Sequence, residues 1–272
     1  MTPCRLLLLL LAYQETPLQR QSREFWDDQK FTVARRIVSD ALQQQEPPAV
    51  NPPATLSRSF RLDLVYDGSA FQGWQRQGSS RTVQQVVEDS LSEFANVRVA
   101  GRTDAGVHAT GQVARYRSRK PMTAVEVMER LQSNRDSDWC CSRVTPVDRS
   151  FHPTFGATSR SYVYVVDAFD NYEKVSDQLN ALWEPWIGAP KDYAVFCHGP
   201  PQSSAMCTLL ACQAVSHPDS LHIHLTADRF LRRMIRKWVA TSLECVLWDG
   251  EMDAGSRAAP PGGLIFTGAT YE

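Results

Sequence analysis

The chain has 272 residues, 43% of them hydrophobic and 22% charged, which suits one large or two small packed domains and excludes a mainly disordered chain. Lysine and arginine total 29 against 30 acidic residues, a net charge of -1, so a polybasic coat is absent and any nucleic-acid binding must come from a local patch. Seven cysteines with no C-x-x-C pair read as reduced thiols, and no apolar run approaches the roughly 20 residues of a membrane span.

Residues 1–60 differ from the rest. They hold the run Leu6 to Leu11, a polar stretch, and the proline pairs Pro47-Pro48 and Pro52-Pro53, which favour an extended linker. Phe25, Trp26, Phe31, Val33, Ile37, Val38 and Leu42 could line one side of an amphipathic helix. Arg5 before the leucines hints at a signal peptide, yet the acids Glu15, Glu24, Asp27, Asp28, Asp40 and Glu46 are unlike an organellar transit peptide. The segment is read as a weakly ordered extension or a targeting segment, and its removal up to about Pro53 should leave activity intact while changing location if it targets. If it targets, the protein belongs to a mitochondrion or plastid; otherwise it belongs to the cytoplasm or nucleus.

From Arg61 the pattern tightens. Leu62, Leu64 and Tyr66 alternate along a strand, and Thr82 with Gln85 forms a capping box before a helix carrying Val83, Val86, Val87, Leu91 and Phe94. Val97 to Ala100 and Gly111 to Arg117 read as strands, Met122 to Gln132 as a helix, and Trp139 to Thr145 as a strand. That order is βαββαβ, the ferredoxin-like unit. A second half follows: strands over Ser161–Val166, Met206–Val215, Leu221–Leu225 and Leu264–Tyr271, with a helix from about Asp228 to Leu247. Its first helix is expected to be missing, because Asn171 to Pro190 shows no clear period. The reading is α+β: an N-terminal half (61–150) and an abbreviated C-terminal half (151–272) sharing a mostly antiparallel sheet.

The most unusual local sequence is Gly101-Arg102-Thr103-Asp104-Ala105-Gly106-Val107-His108-Ala109, a glycine-bounded loop between two strands. Such a loop can hold a carboxylate and a guanidinium at the lip of a sheet. A capping aspartate beside a solvated arginine is the ordinary outcome of an Arg-Thr-Asp turn, and spacing alone does not overturn it. Arg229, Arg232, Arg233, Arg236 and Lys237 crowd the last long helix. They would form a phosphate-gripping ridge with one member turned inward to a carboxylate, against the commoner solvated basic face. Arg115, Arg117 and Arg119 share a strand face and offer a second phosphate contact, unless they only keep an edge strand soluble. His222 and His224 lack a third metal ligand nearby. No Gly-x-Gly-x-x-Gly, Walker loop or Gly-x-Ser-x-Gly occurs, and neither a metal nor a cofactor is implied.

With these residues in view, the chain resembles the TruA-type tRNA pseudouridine synthases from about Arg61 to Glu272. The resemblance is carried in order by Tyr66-Asp67-Gly68-Ser69, Gly73-Trp74-Gln75-Arg76-Gln77, Thr82-Val83-Gln84, the full loop Gly101 to Ala109, and Phe151-His152. It continues through Ala157 to Tyr164, Phe230-Leu231-Arg232-Arg233-Met234-Ile235-Arg236 and Pro260-Pro261-Gly262-Gly263-Leu264. It departs from the family at Lys237, at Lys191-Asp192-Tyr193, and at Ser204 and Cys207, where basic residues are usual.

The resemblance implies an isomerase that converts uridine to pseudouridine in tRNA, in the anticodon stem-loop at about positions 38 to 40. It makes Asp104 the catalytic carboxylate, as nucleophile or base. Arg236 becomes its partner, Tyr162 the aromatic wall for the base, Leu264 an apolar wall, and Arg102 a helper in displacing the flipped nucleotide. His108, Arg229, Arg232 and Arg233 join the substrate-binding set. The partner is tRNA, no membrane is involved, and the resemblance implies a homodimer. The rival is a catalytically impaired RNA-binding or RNA-folding protein that retains the fold.

Overall fold

The computed structural model describes residues 16–44, 55–91, 96–167, 171–201, 204–248, 252 and 257–272. The leucine run and the two proline pairs lie outside the described residues. Helix α1 (Pro17–Asp28) starts with a full capping box, Thr16 and Gln19 each serving the other's backbone amide. Helix α2 (Thr32–Gln43) begins after Phe31, whose φ is 51°. Its first amides are capped from far away: the Asp167 carboxylate accepts from Phe31 N at 3.1 Å and Val33 N at 3.2 Å.

Strand β1 (Ser57–Tyr66), α3 (Val83–Leu91), β2 (Val97–Val99), β3 (His108–Met122), α4 (Ala124–Ser133) and β4 (Trp139–Pro146) form the first half. The second holds β5 (Ala157–Val166), α5 (Tyr172–Trp183), the short pair β6 (Lys191–Asp192) and β7 (Met206–Cys207), β8 (Leu209–His217), β9 (Ser220–Ala227), α6 (Met234–Trp248) and β10 (Leu264–Tyr271). The main sheet runs β4-β1-β3-β10-β5-β9-β8, with β2 also on β3. Each half therefore repeats one strand order, and the protein is an α+β fold of two ferredoxin-like halves in one mostly antiparallel sheet. The halves meet on one strand. The start of β3 pairs parallel with β10 (His108 with Ile265, Ala109 with Phe266), while Ala114 to Tyr116 pair with β2.

Four expectations need correction. Residues 17–43 are not weakly ordered: Trp26, Val33, Ala34, Val38 and Leu42 are buried in the common core. The Ser22 hydroxyl donates to Glu244 on α6 at 2.5 Å. The first helix of the second half is present as α5. Val175, Leu179 and Trp183 are buried at four-residue spacing, and the Asn171 side chain caps the start at Lys174 N; Pro185 only ends the helix. The last helix starts at Met234 rather than Asp228, because Arg233 takes a left-handed φ of 57° and breaks the turn. The capping box at Thr82 is half formed: Thr82 Oγ1 accepts from Gln85 N at 3.4 Å, whereas Gln85 Oε1 is buried with no hydrogen-bond partner.

The N-terminal helices also abut the C-terminal motif. Phe31 meets the Tyr164 ring edge-on at 6.3 Å and lies 3.2 Å from where a side chain on Gly262 would begin. Truncation up to Pro53 should therefore unfold or destabilise the protein rather than leave it intact. Trp26→Ala alone should cost about 3–5 kcal/mol of unfolding free energy by urea titration. An unchanged midpoint would show that α1 is dispensable to the core.

Candidate active site

The loop from Gly101 to Val107 leaves β2 and turns back to enter β3. Its conformation is imposed from below and from the side. Beneath it lies a buried polar relay: Gln112 Nε2 donates to Gly101 O at 2.9 Å and to Tyr66 Oη at 3.2 Å, and Tyr66 Oη lies 2.9 Å from Thr103 Oγ1. Burial pushes the Tyr66 phenol up to about 12, so it stays a neutral hydrogen-bonding group near pH 7. From the side, Trp74 N donates to Thr103 O at 3.0 Å. Gly73 has φ +85°, and a Cβ there would stand 2.9 Å from Thr103 O and 3.0 Å from Ala105 N.

This support leaves the Asp104 side chain 36% exposed, facing two arginines of the other half. Arg236 Nη1 donates to Asp104 Oδ2 at 3.0 Å, and its Nε donates to Ala259 O at 2.6 Å. The Arg236 side chain is only 12% exposed. Desolvation lowers its pKa and the Asp104 charge opposes that fall, so the guanidinium stays charged beside the carboxylate. Arg233 Nε lies 3.7 Å from the same oxygen, an ion pair beyond hydrogen-bond range. The left-handed turn at Arg233 is what brings that side chain to Asp104.

Tyr162 on β5 is buried, with Phe230 and Phe266 edge-on at 5.3 and 4.9 Å. A Cβ on Gly101 would lie 3.5 Å from its hydroxyl, which places the ring against the same loop. Burial raises the phenol far above its ordinary range, so it offers a neutral aromatic surface rather than a base. Leu264 opens β10 opposite Tyr164, two residues before Phe266, and is buried.

The predicted set does not all converge. Arg102 is exposed on the loop, Arg232 is exposed, and Arg229 is half-buried. Arg229, Arg232 and Arg233 precede α6, so of the ridge expected from helical spacing only Arg236 and Lys237 lie on the helix and the other three form a turn. His108 is wholly buried, which removes it from substrate contact. Its Nε2 lies 3.2 Å from Gly262 O, while Nδ1 is 3.0 Å from Asp67 Oδ1 and 3.1 Å from Gly68 N. Hydrogen bonding to His108 holds the Asp67 carboxyl well below the usual carboxylate range. His108 thus joins the first half's Tyr-Asp-Gly motif to the second half's Pro-Gly-Gly motif.

Arg115 is likewise buried and donates to Phe151 O at 2.7 Å, so it braces the chain rather than meeting phosphate. Among the described residues no group of three histidine, cysteine or acidic side chains could hold a metal, and no helix is long and apolar enough to cross a membrane.

Sequence reasoning did not assign the relay of Tyr66, Thr103 and Gln112. Tyr66 and Gln112 sit on strands where a polar atom can equally face water, and only the register brings them under the loop. Gly73 was visible in a motif, but its role as a spacer against the loop was not. Gly73→Ala should cost at least about 1–2 kcal/mol for the left-handed conformation alone. A lower urea midpoint at constant slope would report it, and an unchanged midpoint would show that the loop does not need this close approach.

Known proteins share much of this sequence. The family profile described as tRNA pseudouridine synthase matches residues 65–156, which include the Asp104 loop. A tRNA pseudouridine synthase A of Frankia casuarinae is 31% identical over 243 residues, covering 78% of this chain and 89% of that one. That of Colwellia psychrerythraea is 30% identical over 249 residues, covering 78% and 93%. That of Thermotoga neapolitana is 30% identical over 234 residues, covering 75% and 95%. With a shared sequence of this extent and the loop inside the matched region, the chain belongs to the tRNA pseudouridine synthase family and is an isomerase.

Proposed function

We propose that this protein converts uridine to pseudouridine in the anticodon stem-loop of tRNA, at about positions 38 to 40, with Asp104 as nucleophile or base. The observation that carries the reading is the Asp104 carboxylate, partly open to solvent and held by Arg236 at 3.0 Å across the junction of the halves. The family resemblance supplies the anticodon arm and, with it, a homodimeric working form.

The reaction breaks the bond from C1′ to N1, turns the uracil, and joins C5 to C1′. The C5 proton leaves and N1 regains one, so the product is an isomer and no redox partner is required. An ionised carboxylate suits either attack at C1′ or removal of a proton from an adjacent ribose carbon. Arg236 holds Oδ2 through Nη1 and so fixes the orientation of the carboxylate toward the bound nucleotide. Tyr162, with Leu264 further along the wall, gives the detached uracil an aromatic face and an aliphatic side while it rotates. The target nucleotide must leave the RNA stack to reach this loop, and exposed Arg102 is placed to fill the space it leaves.

Asp104→Asn keeps size and hydrogen-bonding capacity but cannot act as an anion. It should abolish pseudouridine formation in a tritium-release assay while fold and tRNA affinity stay near wild type. Substantial single-turnover activity in the variant would sink the role given to Asp104.

Phosphate contacts are expected from the turn before α6. Arg229→Ala and Arg232→Ala should each reduce the slope of log affinity against log salt by about 0.7 to 0.9. Arg233→Ala should also slow the chemical step, because its side chain approaches Asp104. Unchanged slopes for the first two variants would show a solvated basic turn.

A further inference from the structure

We propose that Phe155 is a stacking platform for an unpaired base of the RNA substrate, beside the flipped uridine, with the His152 ring as its backing. The proposal rests on the RNA-modifying reading above and deepens it.

Phe155 is 85% exposed, more than any other large hydrophobic side chain among the described residues. A lone exposed apolar residue needs no explanation, but this one is held in place. The Thr154 and Phe155 amides both lie 3.2 Å from His152 Nδ1, which accepts from them, and Gly156 N donates to His152 O at 2.8 Å. The two rings are 4.5 Å apart with planes tilted by 32°. The Thr154 hydroxyl donates to Val99 O at 2.7 Å. An aromatic ring fixed in advance loses little freedom when a base stacks on it.

Its position is set by one guanidinium. Arg160 stands two residues before Tyr162 on β5 and therefore on the same face of the strand. It donates to Thr154 O, and its Nη2 lies 3.5 Å from Ala100 O, next to the first residue of the Asp104 loop. Its Nη1 also donates to Asp228 O at 2.8 Å, next to Arg229. Phe155 is thus tied to the rim formed by the Asp104 loop and the arginine turn. Cationic side chains surround its backing ring: Arg98 Nη1 is 3.3 Å from His152 Nε2, and Arg115 and Arg117 act electrostatically on the same imidazole. An exposed aromatic ring beside arginines is the composition by which proteins bind unpaired nucleotides.

The test is equilibrium binding of a transcribed tRNA to the Asp104→Asn protein, with and without further change at Phe155. Phe155→Ala should weaken binding roughly 5- to 150-fold, the loss of one stacked base. The salt slope should not move, because no phosphate contact is removed. Phe155→Tyr and Phe155→Trp should restore binding and Phe155→Leu should not, since a base needs a flat π surface. The urea midpoint of Phe155→Ala should match its parent, because the ring is exposed.

Equal affinity for Phe155→Ala and its parent would overturn the platform while leaving the reading of the Asp104 site in place. A parent protein that binds no RNA would overturn both. Weaker binding accompanied by a changed sedimentation coefficient would reassign the ring to a contact between two copies, and would also overturn the proposal.

Discussion

The ion pair between Asp104 and Arg236 is the contact on which the site depends, because its partners come from opposite halves of the chain. Neither side chain could hold its position alone. A carboxylate on a short loop would be drawn into capping its own turn, and an arginine only 12% exposed would be costly without an anion. Together they fix each other. The pair forms only if β3 and β10 lie side by side, so joining the two halves and assembling the site are one event.

The same logic explains why buried polar groups gather at this junction. His108 reaches Gly262 O from the first half, and Tyr164 Oη donates to Pro260 O at 2.9 Å within the second. Buried hydrogen bonds of this kind add little net stability, but leaving one unmade is expensive. They specify one register between the halves. Close approaches do similar work: a Cβ at Gly68 would meet Val107 O at 2.1 Å, and one at Gly111 would meet Thr267 O at 2.2 Å. Side chains at these glycines would force apart the segments that carry the site.

Outside the junction, two further segments act as clamps. The N-terminal helices bury Trp26 and Val38 and bring Phe31 against Tyr164, on the strand that also carries Tyr162. The segment between β4 and β5 crosses the sheet and is gripped by side chains on its carbonyls: Arg117 on Arg149 O, Arg115 on Phe151 O, and Tyr271 on Pro153 O. Arginines that would read as a basic surface are spent on satisfying backbone acceptors in a stretch with no ladder of its own.

Much was determined by the sequence alone, because local chemistry is written locally. Alternation in Leu62, Leu64 and Tyr66 gives a strand in any context, and the full set of motifs in order identifies the family and the loop of Asp104. The pairing of Asp104 with Arg236 followed from resemblance, since 132 residues separate them and no periodicity links them. Other features belonged to tertiary structure. Helix α5 carries only a short period of three buried apolar residues, with Pro185 and Gly188 close behind it, and packing against the sheet makes it form. Arg233 leaves the helical pattern because a left-handed turn there lets it approach Asp104. His108 and Arg115 look like surface ligands until the register buries them, since a strand has no local mark for which of its polar residues will face a partner segment. The order of residues 17–43 was hidden for the same reason: an amphipathic helix is stable only where a complementary face exists, and that face is assembled from strands and helices far along the chain.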